Sequence, residues 1–359
     1  MLFRSRSATT CLRVVSCPLL SKVILLCGIL PGISQVGQAA PYVALPHTEM
    51  AELSEFLPPE RVPQPDSNPI SDACVSLGKQ LFFDPRLSGD NNRSCASCHN
   101  PAFSWTDGLA TASGIQGQAL RRATPTLINV AFEPLLFWDG RSRSLEHQAL
   151  IPVQNSEEMN QPLDGLVKEL SALQGYRGAF ETAYPGKGIN ADTIGMALAC
   201  FERTITSRNS PFDRWLAGDH QAMSLEAIRG FELFRGKGRC NLCHSGFNFT
   251  DNGFHNIGLK DGTDPGRYGI RKLKLLQGTF KTPTLRDIAR TAPYMHNGSY
   301  RTLMEVMEHY NRGGDSKANL SPLIQPLNLS RQELADLVAF MQSLSGEPAH
   351  LEFPSLPER

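Results

Sequence analysis

The stretch "RSCASCHNPAFSWTDGLA", residues 93–110, decides the fold because it contains the pattern C-x-x-C-H. Two cysteines at this spacing can add their sulfurs to the vinyl groups of a haem, and the adjacent histidine can bind the iron from one face. The sequence therefore predicts that Cys95 and Cys98 attach a haem and that His99 is its iron ligand.

The loop after this motif offers no usual ligand for the other face of the iron. The next histidine is His147 and the next methionine is Met159, both far along the chain. An iron with one free face can bind and activate a small molecule, whereas an electron carrier keeps both faces ligated. The gap therefore means either that the sixth ligand comes from elsewhere in the chain or that the first haem is an active site.

A second C-x-x-C-H lies in "SLEAIRGFELFRGKGRCNLCHSG", about 145 residues further along the chain. Apolar residues recur there at every third position before two glycines end the predicted helix: Leu225, Ile228, Phe231 and Phe234. A single C-x-x-C could be a redox dithiol or half of a zinc site, but two copies followed at once by histidine favour two c-type haems. The second haem is predicted to be held by Cys240, Cys243 and His244.

The pattern around both motifs is helical and lacks the alternation of polar and apolar residues that marks strands. Ser71 is placed to cap a helix before the first motif, residues 191–207 form another predicted helix, and Ser330 with Glu333 forms a capping box for a terminal helix. The predicted fold is mostly α, with two cytochrome c-like helical haem domains. Its predicted parts are a signal peptide at 1–40, an extended N-terminal arm at 41–70, the first haem domain at 71–220 and the second haem domain at 221–359.

The beginning of the chain combines basic residues, the apolar run "VILLCGIL" and the small residues "GQAA", as secretory signals do. An uncleaved anchor is the alternative, but the run is short for a span of about 20 residues. The mature protein is therefore predicted in the periplasm, without stable membrane insertion after cleavage. Lys+Arg and Asp+Glu both number 35, so no net charge favours nucleic acid as a partner.

Two of the nine cysteines are left after the signal and the two motifs are set aside, namely Cys74 and Cys200. In an exported protein these two could form a disulfide. Cys74 shares helical spacing with Leu77 and Leu81, however, which favours a small buried apolar residue instead.

The second haem has several candidate ligands for its other face, all within "APYMHNGSYRTLMEVMEHYNRGG": Met295, His296, Met304, Met307, His309 and Tyr310. If residues 302–311 are a helix, Met307 and Tyr310 share its apolar face, whereas His309 falls on the polar one. Spacing alone does not separate Met307 from Tyr310, and Met307 could equally be core packing.

Several motifs in order resemble the bacterial di-haem cytochrome c peroxidase and MauG family. They are "LGKQLFFDPRLS", "CASCHNP", "FWDGRS", "PVQNSEEM", "FKTPTLRDIARTAPYMHNGS" and the final helix, and the resemblance spans roughly residues 70–345. Ordinary peroxidases of the family carry a ligand methionine fourteen residues after the histidine of "PY-x-H-x-G"; here that position is Tyr310, as in the MauG branch. Those peroxidases also carry a removable histidine after the first motif, which this chain lacks. The resemblance therefore implies a first iron that is open to peroxide and a Tyr310 ligand on the second.

The resemblance also implies roles for residues that would otherwise pass for surface or core positions. Glu158 corresponds to the acid/base carboxylate over the peroxide site, with His147 as a rival that the family pattern does not require. Gln148 corresponds to a glutamine that hydrogen-bonds bound oxygen, and Trp138 to the tryptophan between the haems. Trp105 and Trp215 are predicted to be ordinary buried tryptophans.

A calcium ion is implied with Thr291 and Pro293 as backbone ligands, although the family's asparagine ligand is replaced here by Ala123. The implied function is a hydrogen-peroxide-dependent di-haem oxidoreductase that oxidises a partner protein through a high-valent di-haem state. The alternative is a cytochrome c peroxidase that reduces peroxide to water with electrons from a small cytochrome c or copper protein. A plain electron-transfer cytochrome would need two six-coordinate irons, which the first loop argues against.

Overall fold

The computed structural model describes residues 53–260, 262–347 and 351–358, so the predicted signal peptide lies outside the described residues. The described part is mostly helical, and the only regular sheet within it is the two-stranded antiparallel pair β1 and β2. The helices are α1 (Asp72–Phe83), α2 (Cys95–Cys98), α3 (Leu145–Gln154), α4 (Leu163–Ala172), α5 (Gln174–Ala183), α6 (Ala191–Glu202), α7 (Pro211–Leu216), α8 (Leu225–Arg235), α9 (Leu303–Asn311) and α10 (Arg331–Ser343). The strands are β1 (Phe254–His255) and β2 (Phe280–Lys281). This confirms the mostly α class.

The first motif is held by a helix pair, α1 against α6. Ser71 caps α1 as predicted, because its side chain accepts from the backbone N–H of Cys74. The two helices approach so closely at Gly78 that a Cβ there would collide with the carbonyl oxygen of Ala197 and with Phe201. Glycine is therefore the residue that permits this contact.

The second motif is held by an equivalent pair, α8 against α10. Ser330 and Glu333 form the predicted capping box at the start of α10. A Cβ at Gly230 on α8 would collide with the carbonyl oxygen of Asp336 and with Phe340. The same contact, a glycine on the helix before the motif against a later helix, thus occurs in both halves.

Two hydrophobic cores follow from these helix pairs. One contains buried residues between Cys74 and Ile205, and the other contains residues between Phe212 and Leu344 together with Leu53 and Phe56. The described part of the 41–70 segment therefore contributes two side chains to the second core rather than lying wholly outside it. The boundaries at 71–220 and 221–359 stay a prediction.

Cys74 and Cys200 are joined as a disulfide, with their Cα atoms 5.9 Å apart. The sequence favoured an unpaired, buried Cys74, and that interpretation was wrong about the pairing although right about the burial. The reason is the α1–α6 contact, which brings together two residues 126 positions apart. Among the helices that the structure describes, none is both long and apolar enough to cross a bilayer.

Candidate haem cavity

The two C-x-x-C-H motifs open onto one cavity of about 730 Å³. All six motif residues line it: Cys95, Cys98, His99, Cys240, Cys243 and His244. The four cysteines are free thiols, and none of them is fully exposed. The structure therefore brings both predicted attachment sites together on one internal space.

Both motif histidines are oriented in the same way. Nδ1 of His99 lies 3.1 Å from the carbonyl oxygen of Trp105, and Nδ1 of His244 lies 2.8 Å from that of Phe249. Because a carbonyl oxygen only accepts, Nδ1 carries the proton in each ring and Nε2 keeps its lone pair. Metal-binding histidines are usually fixed by such a bond. Burial also lowers the pKa of both rings, which keeps them neutral.

The thiols also suit covalent haem attachment. Burial raises the pKa of Cys95, of Cys98 to about 11, and of Cys240 to about 12. These sulfurs are therefore protonated at neutral pH, and thioether formation adds an S–H group across a vinyl double bond. The donor set, its orientation and the shared cavity all fit two c-type haems.

Two of the predicted acid/base and oxygen-binding residues lie at the cavity. Gln148, on α3, has a buried Oε1 atom with no hydrogen-bond partner among the described residues. Glu158 follows α3; its Oε1 accepts from Nδ2 of Asn155 at 2.7 Å, and burial raises the pKa of its carboxyl. His147 is exposed, bonds to Ser142 and is not among the described residues that line the cavity. Glu158 thus lies at the cavity wall, whereas His147 lies outside it.

Met159, which sequence reasoning set aside because of its distance along the chain, is buried and also lines the cavity. Its backbone N–H donates to the carbonyl oxygen of Pro152 at 3.3 Å, which folds the turn after α3 back onto the helix. Distance along the chain was therefore a poor guide to which residues reach the cavity.

Trp138 lines the cavity, whereas the other tryptophans belong to the cores. Its Nε1–H donates to the carbonyl oxygen of Ala123 at 2.8 Å, and its ring lies edge-on to His296 with centroids 6.3 Å apart. Trp215 is 3% exposed in the second core, and Trp105 packs on Phe82 of the first. Trp138 is thus the tryptophan that can interact with a group bound in the cavity.

Four of the six candidate ligands for the second iron line the cavity: Met295, His296, Met307 and Tyr310. His309 was predicted on the polar face of its helix, and this is wrong, because His309 is fully buried. Its Nε2 lies 2.9 Å from the carbonyl oxygen of Ile257, and its Nδ1 lies 2.9 Å from the hydroxyl of Tyr300. Chain segments from outside α9 cover that face, and both ring nitrogens are already occupied.

Tyr310 lies near the second pair of thiols. Burial raises the pKa of its phenol, with smaller contributions from Cys243 and Cys240, which lie close to it. Its hydroxyl has no hydrogen-bond partner in the part of the chain that the structure describes. Met307 belongs to the second core and lines the cavity as well. An unpartnered phenol in a cavity is suited to bind a metal. Met307 lines the same cavity, so the geometry keeps both residues as candidate ligands.

The residues implied for calcium also lie at the cavity wall. Thr291 and Pro293 line it, and the backbone N–H of Ala123 donates to the carbonyl oxygen of His296 at 2.7 Å. Ala123 brings a methyl group where an oxygen ligand is expected.

Glu202 is a cavity residue that sequence reasoning missed. It is 4% exposed, lines the cavity and leaves Oε2 without a hydrogen-bond partner among the described residues. Burial raises the pKa of its carboxyl to about 8. The sequence does contain a signal that could have identified Glu202, because it ends the apolar run "MALACFE", where a carboxylate is unusual.

A mostly helical chain with two haem-attachment motifs on one cavity defines a di-haem c-type protein. A family model described as di-haem cytochrome c peroxidase matches residues 72–221. The methylamine utilization protein MauG of Methylorubrum extorquens is 45% identical over 307 residues, which cover 85% of this chain and 87% of that protein. The chain therefore belongs to the di-haem cytochrome c peroxidase and MauG family and is an oxidoreductase that acts on peroxide.

Two further comparisons show how similar the chain is to the peroxidase branch and to the MauG branch of the family. The cytochrome c551 peroxidase of Pseudomonas aeruginosa is 34% identical over 309 residues, covering 83% of this chain and 86% of that protein. The crystal structure of a MauG-like protein associated with microbial copper homeostasis has a TM-score of 0.76 at 32% identity, covering 81% of this chain and 94% of the other. Identity to MauG exceeds identity to the peroxidase, so the MauG-like interpretation fits and the peroxidase alternative is not favoured.

Proposed function

We propose that this chain uses hydrogen peroxide to oxidise aromatic side chains of a partner protein, two electrons for each peroxide. When bound, the two c-type haems supply the redox-active iron for this reaction. Peroxide accepts two electrons and two protons to give two water molecules, and the partner supplies the electrons. The observation that carries the proposal is Tyr310, a half-buried phenol that lines the cavity and whose hydroxyl has no hydrogen-bond partner among the described residues.

Glu158 is proposed to move the proton that peroxide cleavage needs. Asn155 occupies its Oε1, which leaves Oε2 to hold a proton. Because burial raises the pKa of this carboxyl, it is protonated more often than an exposed glutamate and can donate to the departing oxygen. The unpartnered amide of Gln148 is proposed to orient a molecule bound beside it.

The experiment is Glu158→Gln, which keeps the shape of the side chain and removes its acid. We expect the variant to bind haem normally and to react with peroxide about 10²–10⁴-fold more slowly in stopped flow. The matched control is His147→Gln, which should react at the wild-type rate. If Glu158→Gln reacts normally and His147→Gln is slow, the acid/base role passes to His147.

The partner class has its own test. Periplasmic protein incubated with the wild-type enzyme and peroxide should contain a protein whose aromatic residues gain a peroxide-dependent mass change, and His99→Gly should abolish that change. Rapid peroxide-dependent oxidation of a reduced small cytochrome or copper protein, with no modified protein, would instead support the peroxidase alternative.

Two further parts of the proposal are the location of the mature protein and a calcium site. We propose a periplasmic location after removal of residues 1–40, which N-terminal sequencing of the mature protein tests. We also propose a weak calcium site at the backbone oxygens of Thr291 and Pro293, weak because Ala123 has no side-chain oxygen and calcium takes about six to eight oxygen ligands. Metal analysis before and after EGTA treatment should show calcium that is easily removed, and a tightly retained ion would require another oxygen ligand.

A further inference from the structure

One loop concentrates positive charge and exposed apolar side chains. Residues 267–275, "RYGIRKLKL", hereafter the basic loop, contain four cations and no acid, in a chain whose basic and acidic residues number 35 each overall. Ile270, Leu273 and Leu275 are 45%, 54% and 69% exposed. Large apolar side chains grouped within a charged surface are typical of interaction sites.

The cations of this loop are available to a partner. Arg271, Lys272 and Lys274 are exposed, and none of them forms an ion pair with the residues that the structure describes. The nearby Asp264 does not neutralise them, because its carboxylate binds Arg122 at 2.8 Å. The loop therefore presents unneutralised positive charge around its apolar side chains.

The backbone of the basic loop is anchored rather than loose. The N–H of Arg267 donates to the carbonyl oxygen of Thr279 at 2.8 Å, and Nδ2 of Asn319 donates to the carbonyl oxygen of Leu275 at 3.2 Å. An anchored loop loses less conformational entropy on binding than a mobile one. Its exposed side chains are thus held in place for docking.

The same loop is tied to the turn that carries Trp138. The guanidinium of Arg267 donates to the carbonyl oxygens of Asp139 and Gly140, both at 2.6 Å, and it lies over the ring of Phe254 at 4.5 Å. Trp138, one residue before, lines the cavity. A protein docked on the basic loop would therefore lie beside a side chain that reaches the redox centre.

We infer that the basic loop is the docking surface for an acidic, partly apolar face of the protein with which this enzyme exchanges electrons. The inference rests on the proposed function for the redox activity of the cavity, and the partner to which it commits is a small acidic electron-transfer protein of the blue-copper kind. An anionic lipid surface could match the same charges, but the link through Arg267 to the Trp138 turn favours a redox protein.

The test measures binding without peroxide, so that its outcome is independent of catalysis. The probe is a purified, acidic blue-copper protein, with immobilised holoenzyme. Charge reversal by Arg271→Glu, Lys272→Glu and Lys274→Glu together should weaken binding at least about tenfold and abolish its dependence on ionic strength. The matched control reverses three exposed cations elsewhere, at Lys168, Arg177 and Lys187, and should bind as wild type does.

A second variant tests the apolar part. Leu273→Ser with Leu275→Ser should weaken binding several-fold while the dependence on ionic strength stays, because the charges remain. Both variants should keep the haem spectrum and the rate of peroxide-dependent hydroquinone oxidation, which needs no docking. Equal binding by the charge-reversal and control variants, or no binding by wild type, would overturn the inference. Binding to phosphatidylglycerol vesicles instead of the copper protein would overturn it in favour of a membrane.

Discussion

Glu202 carries a buried carboxyl whose ionisation is opposed by its surroundings. Its pKa in the folded protein is about 8, against an ordinary 4.5, because burial removes the solvent that would stabilise the charge. The folded protein therefore holds a proton that the unfolded chain releases above pH 4.5. The contribution to stability is complete below pH 4.5 and is lost as the pH rises towards 8, at up to about 1.4 kcal/mol per pH unit.

We expect Glu202→Gln to remove this pH dependence, since a neutral amide has no proton to lose. Urea denaturation at pH 5 and pH 8 should show wild type losing more stability than the variant over that interval. Glu232→Gln, at an exposed position on α8, is the control and should follow wild type. Parallel pH profiles for wild type and Glu202→Gln would show that Glu202 is not kept protonated.

At the scale of single elements, the two helix contacts at Gly78 and Gly230 are the sharpest constraint on the fold. We expect Gly230→Ala to destabilise the protein by about 1–3 kcal/mol, because its methyl group would meet the carbonyl oxygen of Asp336. Gly178→Ala is the control, since that helical position is exposed and open; it should be neutral or stabilising by up to about 1 kcal/mol. Equal denaturation midpoints for the two variants would contradict the close approach.

Local sequence signals predicted the secondary-structure elements well, but they did not predict the contacts between those elements. Ser71, Ser330 and Glu333 act within one turn of chain, so their capping roles were visible in sequence. The Cys74–Cys200 disulfide, and the burial of His309 under distant segments, depend on tertiary packing that no local period encodes. The motifs showed what holds the haems, but the shared cavity and Glu202 required the structure.

At the scale of the whole molecule, both motifs are expected to be loaded with haem. Mass spectrometry of the mature wild-type protein should show two covalent haems, and Cys240→Ala with Cys243→Ala should leave one. The variant at the second motif should keep the high-spin spectrum of the first haem, because His99 and its bond to Trp105 are untouched. A single haem in wild type would contradict the di-haem account.

The most direct test of the MauG-like account is EPR and optical spectroscopy of the fully ferric protein before and after peroxide, in wild type, Tyr310→Phe and Met307→Leu. We predict one high-spin haem and one low-spin haem in wild type, with peroxide producing a two-electron change without prior reduction. Tyr310→Phe should lose the low-spin signal and that change, while Met307→Leu, a swap of similar volume, should match wild type. The account would be contradicted by a wild-type spectrum in Tyr310→Phe together with an altered low-spin haem in Met307→Leu.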